Sequence, residues 1–119
     1  MSSVESISLD TPHETRSFPR GEARLVNIGG SIVGQYSFQP GWRWSTSLKP
    51  IVGTDRCENH HVGYVLAGRL HVIGADGTEV EMVAGDVYDI APGHDAWTVG
   101  NDTFVGLEFK SADQFARPK

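Results

Sequence analysis

A single cysteine, Cys57, is all that the 119-residue chain contains, so no disulfide can close within it, and a lone thiol fits a reducing compartment. Clusters of Lys and Arg are missing, and the formal net charge is −5. That balance argues against nucleic acid, whose binders present a basic face to the phosphates. No stretch approaches the ~20 apolar residues of a membrane-spanning helix, so no membrane partner is expected. Residues 1–10 lack both a positive start and an apolar run; no signal peptide is expected there, and the expected compartment is the cytoplasm. Gly-x-Ser-x-Gly elbows, phosphate-binding loops and Cys-x2-Cys pairs are absent, which sets aside the serine-hydrolase, nucleotide and zinc-ribbon chemistries. Nor does any window sustain three turns of helical period, or any segment repeat.

What the chain does have is turns. Fourteen glycines and six prolines punctuate short runs of β-forming residues. Residues 1–20, with Pro12 and Pro19, read as a polar, irregular arm, either loose or pairing with a partner subunit; residues 21–119 read as one domain. From Leu25 the pattern becomes strand-like. Ile32, Gly34, Tyr36 and Phe38 alternate with Val33, Gln35, Ser37 and Gln39, which is the period of two. Strands are expected at 61–66, 69–73, 79–83, 87–90, 96–99 and 104–110, with Asp76-Gly77 as a hairpin signal. Ser111 to Ala116 is expected as at most a helical turn. Eight or nine short strands without a long helix predict an all-β barrel or sandwich.

Two segments resemble the two motifs of the cupin superfamily. In that family the first motif runs Gly, five residues, His-x-His, three or four residues, Glu, six residues, Gly; the second runs Gly-Asp, a short strand, Pro-x-Gly and a histidine. Here His61-Val-Gly-Tyr-Val-Leu-Ala-Gly68 resembles the end of the first, and Gly85-Asp86 through Pro92-Gly93-His94 resembles the second. The resemblance covers residues 34–109 and implies a double-stranded β-helix (jelly-roll) barrel, commonly with a metal inside and often dimeric. Carried onto this sequence, the family's Glu position falls on His61, its second His on Cys57 and its first on Asp55. Counting forward from Gly41 gives Ser47 and Lys49 instead, so an insertion is expected around residues 50–56. The second-motif histidine falls on Ala96, with His94 two residues earlier. Cys-x3-His and Gly-His-Asp-Ala-Trp therefore stand where relatives carry His-x-His and His, and the motif glutamate is missing.

Physical chemistry makes its own case for a metal at Cys57, His61 and His94. Cys57 and His61 are four apart, so on one extended strand both face the same side, with Gly63 leaving space beside the imidazole. One thiolate and two imidazoles form a three-ligand set with an open position, as in catalytic zinc sites. The same donors suit Fe, Ni, Mn or Co, so the expected cofactor is one divalent transition metal ion. His60, Asp55 or Asp95 are candidates to complete the set, and Asp89 and Asp95 are candidates to orient a histidine ring. His13 and His71 read as structural or solvated. Trp44, Tyr88 and Trp97 are candidates for lining a small-molecule pocket at the barrel mouth, against the plainer reading of barrel packing. A nucleophilic Cys57–His dyad is the competing chemistry. The expectation is a metal-binding barrel acting on a small organic molecule, the alternative a non-catalytic ligand- or metal-sensing module, in either case as a homodimer.

Overall fold

In the computed structural model, residues 3–110, 112 and 115–118 are described. Nine strands form among them: β1 Glu14–Phe18, β2 Gly21–Ile28, β3 Ser31–Phe38, β4 His61–Ala67, β5 Arg69–Ile73, β6 Glu79–Val83, β7 Val87–Ile90, β8 Asp95–Thr98 and β9 Phe104–Lys110. Two single-turn helices, α1 Trp44–Ser47 and α2 Lys49–Val52, follow β3, and the second runs into residues 50–56, where the motif counts called for an insertion. One sheet has the order β1-β2-β3-β9-β4-β7 and the other β6-β5-β8, and every pairing is antiparallel. No described helix is long and apolar enough to cross a membrane.

Alternation decides which residues meet between the sheets. Gly34, Tyr36 and Phe38 of β3 point inward, as do His61, Gly63 and Val65 of β4 and Phe104, Gly106 and Glu108 of β9. The interior is rich in aromatic rings: Phe38 stacks on Trp42 with centroids 3.7 Å apart, and Phe104 lies 5.6 Å from Phe38. At the β4–β5 junction Gly68 adopts φ 77°, and a Cβ there would come within 2.7 Å of the Phe104 Cα. Only glycine combines that left-handed backbone with so close an approach.

The segment expected as an irregular arm is partly ordered. Its residues Glu14–Phe18 pair with β2 of the same chain, register Glu14↔Leu25 to Phe18↔Gly21. Phe18 buries its ring against Phe38 and Phe115, which supplies the apolar anchor that the polar composition of residues 1–20 concealed. The helical turn expected from Ser111 to Ala116, with Gln114, lies partly outside the described residues.

Candidate metal centre

Three loops and strands bring the site together. His61 opens β4 and points between the sheets because Gly63 and Val65 share its pleat. Cys57 is not on that strand, contrary to the expectation of one continuous extended run. It sits in a short bridge to His94: the Cys57 N–H donates to the His94 carbonyl at 2.9 Å, and the Gly93 N–H donates to the Cys57 carbonyl at 2.7 Å. Opposed residues of an antiparallel bridge project to the same side, so this backbone pairing delivers sulfur and imidazole together. His94 and Ala96 are one pleat apart and both border the inner cavity.

Cys57, His61 and His94 are all buried, and their ligand atoms lie within 4.8 Å of one another. Sγ of Cys57 is 3.5 Å from Nε2 of His61. A tetrahedral zinc-like ion about 2.3 Å from sulfur and about 2.0 Å from nitrogen sets those atoms about 3.5 Å apart, so the pair already has the spacing that one shared ion requires. The far nitrogens are occupied: His61 Nδ1 is 2.7 Å from Glu108 Oε1, and His94 Nδ1 is 2.8 Å from the Ala91 carbonyl. Each ring is thereby oriented with Nε2 toward the cluster, the usual arrangement around a ligating imidazole.

Glu108, on β9, is the residue that sequence reasoning missed. Its side chain is 2% exposed, and besides His61 it accepts the hydroxyl of Tyr88 on Oε2. A detectable signal was present, since Glu108 falls in phase with inward-facing Phe104 and Gly106. Gly63 serves this arrangement rather than the imidazole. A Cβ there would clash with the Leu107 carbonyl and come within 2.5 Å of the Tyr88 hydroxyl, so its absence lets the phenol reach Glu108.

The electrostatics follow from this packing. Burial disfavours charge on His61, but the facing Glu108 carboxylate and the Cys57 sulfur outweigh it and raise the imidazole to about 10. Burial likewise pushes the Cys57 thiol up, yet hydrogen bonding and charge from His61 and His94 pull it down to about 6. Burial, reinforced by the Glu108 charge, drives the Tyr88 phenol upward and keeps it protonated. The Cys57 sulfur, the His61 imidazole and the Glu108 carboxyl thus form one hydrogen-bonded chain in an apolar shell.

The other candidates lie elsewhere. Asp55 pairs with Lys49 at 3.2 Å on the surface, and His60 pairs with Asp89 on the outer side of the sheet. Asp95 is buried but accepts from the Ser45 and Ala96 amides and faces Arg43 at 3.4 Å, tying α1 to β8. None of the three joins the cluster, and neither Asp89 nor Asp95 orients a clustered ring; Glu108 and the Ala91 carbonyl do so. His13 accepts from the Asn27 amide, and His71 pairs with Glu79. Trp44 and Tyr88 border the inner cavity. Trp97 does not: one residue out of phase with inward Ala96 and Thr98, it stacks on His71 at 4.6 Å, with the Arg43 guanidinium 4.4 Å above its ring.

The inner cavity is only about 30 Å³, walled by Phe38, Trp42, Phe104 and Phe115 among others. Phe115 stacks on Tyr36 at 4.2 Å and stands edge-on to His61 at 5.7 Å. The Arg16 guanidinium fastens that segment, donating to the Ala112 carbonyl at 2.9 Å and the Phe115 carbonyl at 2.7 Å. A larger groove, about 540 Å³, opens between the β5–β6 hairpin and β7, and shares Met82, Tyr88 and Ile90 with the inner cavity. The Trp42 indole N–H, buried beside the inner cavity, has no acceptor among the described residues. Such an orphan costs roughly 1–3 kcal/mol.

No protein-family model matches the chain, and no curated protein matches it. Solved structures do. KdgF from a Halomonas species aligns with a TM-score of 0.60 at 19% identity, over 96% of this chain and 100% of that one. A double-stranded β-helix protein from Klebsiella pneumoniae aligns with a TM-score of 0.59 at 18% identity, covering 89% and 83%. A cupin-2 domain from Rhodospirillum rubrum gives 0.57 at 14% identity, covering 88% and 65%. At these identities the likeness concerns the fold.

Proposed function

Because the chain folds as a cupin, with a double-stranded β-helix enclosing a thiol and two imidazoles, we propose that it binds one divalent transition metal ion through Cys57 Sγ, His61 Nε2 and His94 Nε2, and acts on a small organic molecule. The observation that carries this reading is the buried, pre-oriented donor set: three ligand atoms within 4.8 Å, with the far nitrogens of both rings already engaged. Bound there, the ion would supply Lewis acidity at an open coordination position. The protein's own groups do the rest. Glu108 holds the proton of His61 Nδ1 and so fixes the tautomer that presents Nε2. Tyr88 keeps its proton directed at Glu108, and its ring forms the wall between inner cavity and outer groove. At about 540 Å³ the groove has the volume of a small-molecule site, whereas the inner cavity does not.

The small inner cavity favours the second reading, a metal-holding module that senses or stores rather than transforms. Both readings share one test. Elemental analysis of protein purified without a His tag should find close to one equivalent of metal, and much less in His61→Ala and in Cys57→Ser. A stoichiometric ion in a His61→Ala, His94→Ala double variant would place the site elsewhere. The homodimer is part of the same proposal: exposed Tyr64, Leu66, Val87 and Phe109 share the outer face of β4, β7 and β9, where a second copy of that face can seat. Light scattering at micromolar concentration that returns the 13.0 kDa of one chain would contradict it.

A further inference from the structure

The inner cavity limits what can sit beside the imidazoles. Its volume of about 30 Å³ accommodates one or two water-sized groups, since one probe sphere takes roughly 10–15 Å³. Several of the polar protons around it are already committed. Tyr88 donates to Glu108, His61 Nδ1 is engaged by Glu108, and His94 Nδ1 by the Ala91 carbonyl. Trp42 differs. Its ring borders the same cavity as His61 and His94, is 2% exposed, and its Nε1–H meets no acceptor among the described residues. An indole nitrogen is a donor only, so it cannot relieve that state by changing role. Stacking on Phe38 at 3.7 Å, nearly parallel, also holds the ring in place.

We propose that the Trp42 indole N–H is the anchoring donor for an acceptor ligand of one or two heavy atoms lodged in the inner cavity beside His61 and His94. This deepens the proposed function by giving the ligand class at the site's interior: small inorganic or diatomic acceptors enter, and carboxylates or larger organic groups stay in the outer groove. The aromatic walls enforce the size limit, and the indole donor enforces the need for an acceptor, because a site built to donate rejects ligands that leave it unpaired.

Fluoride and acetate are the probes, read on the indole N–H resonances of ¹⁵N-labelled protein, with the Trp42 signal assigned by its loss in Trp42→Phe. In metal-loaded protein, fluoride should shift the Trp42 resonance saturably while leaving those of Trp44 and Trp97 in place, and acetate should leave the Trp42 resonance unmoved. Trp42→Phe keeps an aromatic ring against Phe38 and removes the donor; it should weaken fluoride binding at least tenfold, read on the visible bands of the Co²⁺ form, without lowering metal content. A Trp42 resonance indifferent to fluoride in both metal-loaded and metal-free protein would overturn the proposal, and that experiment needs no variant to fold. A response to acetate equal to that for fluoride would overturn the size limit. A fluoride response in protein that takes up no metal would sink the metal reading alone and leave Trp42 as the anchor.

Discussion

His60 and His61 are adjacent on the chain, and each faces a carboxylate, yet they belong to different worlds. His61 and Glu108 lie inside the barrel with side-chain exposures of 5% and 2%; His60 and Asp89 lie on the outer surface at 37% and 73%. The two pairs use the same chemistry on opposite sides of one β-strand entrance. Inside, bulk solvent does not reach either partner if the other is lost, so the pair locks a tautomer and perturbs its neighbours. Outside, solvent replaces either partner at little cost. A histidine–carboxylate contact is therefore a functional signal only where burial makes it irreplaceable.

The sharpest way to break this comparison is to delete each acid in turn. Glu108→Ala strands a buried imidazole and the Tyr88 hydroxyl, and should cost about 3–5 kcal/mol in urea unfolding together with most of the metal affinity. Gly63→Ala drives a methyl against the Leu107 carbonyl and the Tyr88 hydroxyl; overpacking of this kind costs about 1–3 kcal/mol, and it should loosen metal retention by disturbing Tyr88 and Glu108 together. His60→Ala and Asp89→Asn should each move stability by no more than about 0.5–1 kcal/mol and leave metal content unchanged. Equal losses from the inner and outer deletions would erase the distinction.

Acid titration of the metal-free protein sharpens it further. With its folded pKa lowered to about 6, the Cys57 thiolate stabilises the fold above the unfolded value near 8.5, and that contribution disappears as pH falls through about 6. The ultraviolet absorbance of the single thiolate should vanish with a midpoint near pH 6 and be absent from Cys57→Ser. In His61→Ala the midpoint should rise toward that of an ordinary thiol. A midpoint near 8.5 in the native protein would show that the imidazoles do not act on the sulfur.

Much of the architecture was legible in the sequence. Strands β5, β6, β7 and β9 fall at the residues that periodicity and turn chemistry indicated, because each is a short run bounded by Gly, Asp-Gly or Pro-Gly. Bringing Cys57, His61 and His94 together was legible too, although the route was not: a backbone bridge between Cys57 and His94 replaces the single strand. Phase explains the rest. Trp97 was assigned to the pocket from its aromatic character, but its pleat faces out, and no single residue type reveals which face of a four-residue strand is buried. Glu108 escaped because a charged residue in a strand ordinarily reads as solvent-facing. The short strand β1 was hidden for a related reason: its anchoring ring, Phe18, is one apolar residue in a polar stretch.

The account rests on sulfur and imidazole sharing one ion, and titrating metal-free protein with Co²⁺ while recording the ultraviolet–visible spectrum tests that most directly. It predicts a sulfur-to-cobalt charge-transfer band that saturates at one equivalent, is lost in Cys57→Ser and persists in His60→Ala. Cobalt bound at one equivalent with no such band, or no stoichiometric binding at all, would contradict it.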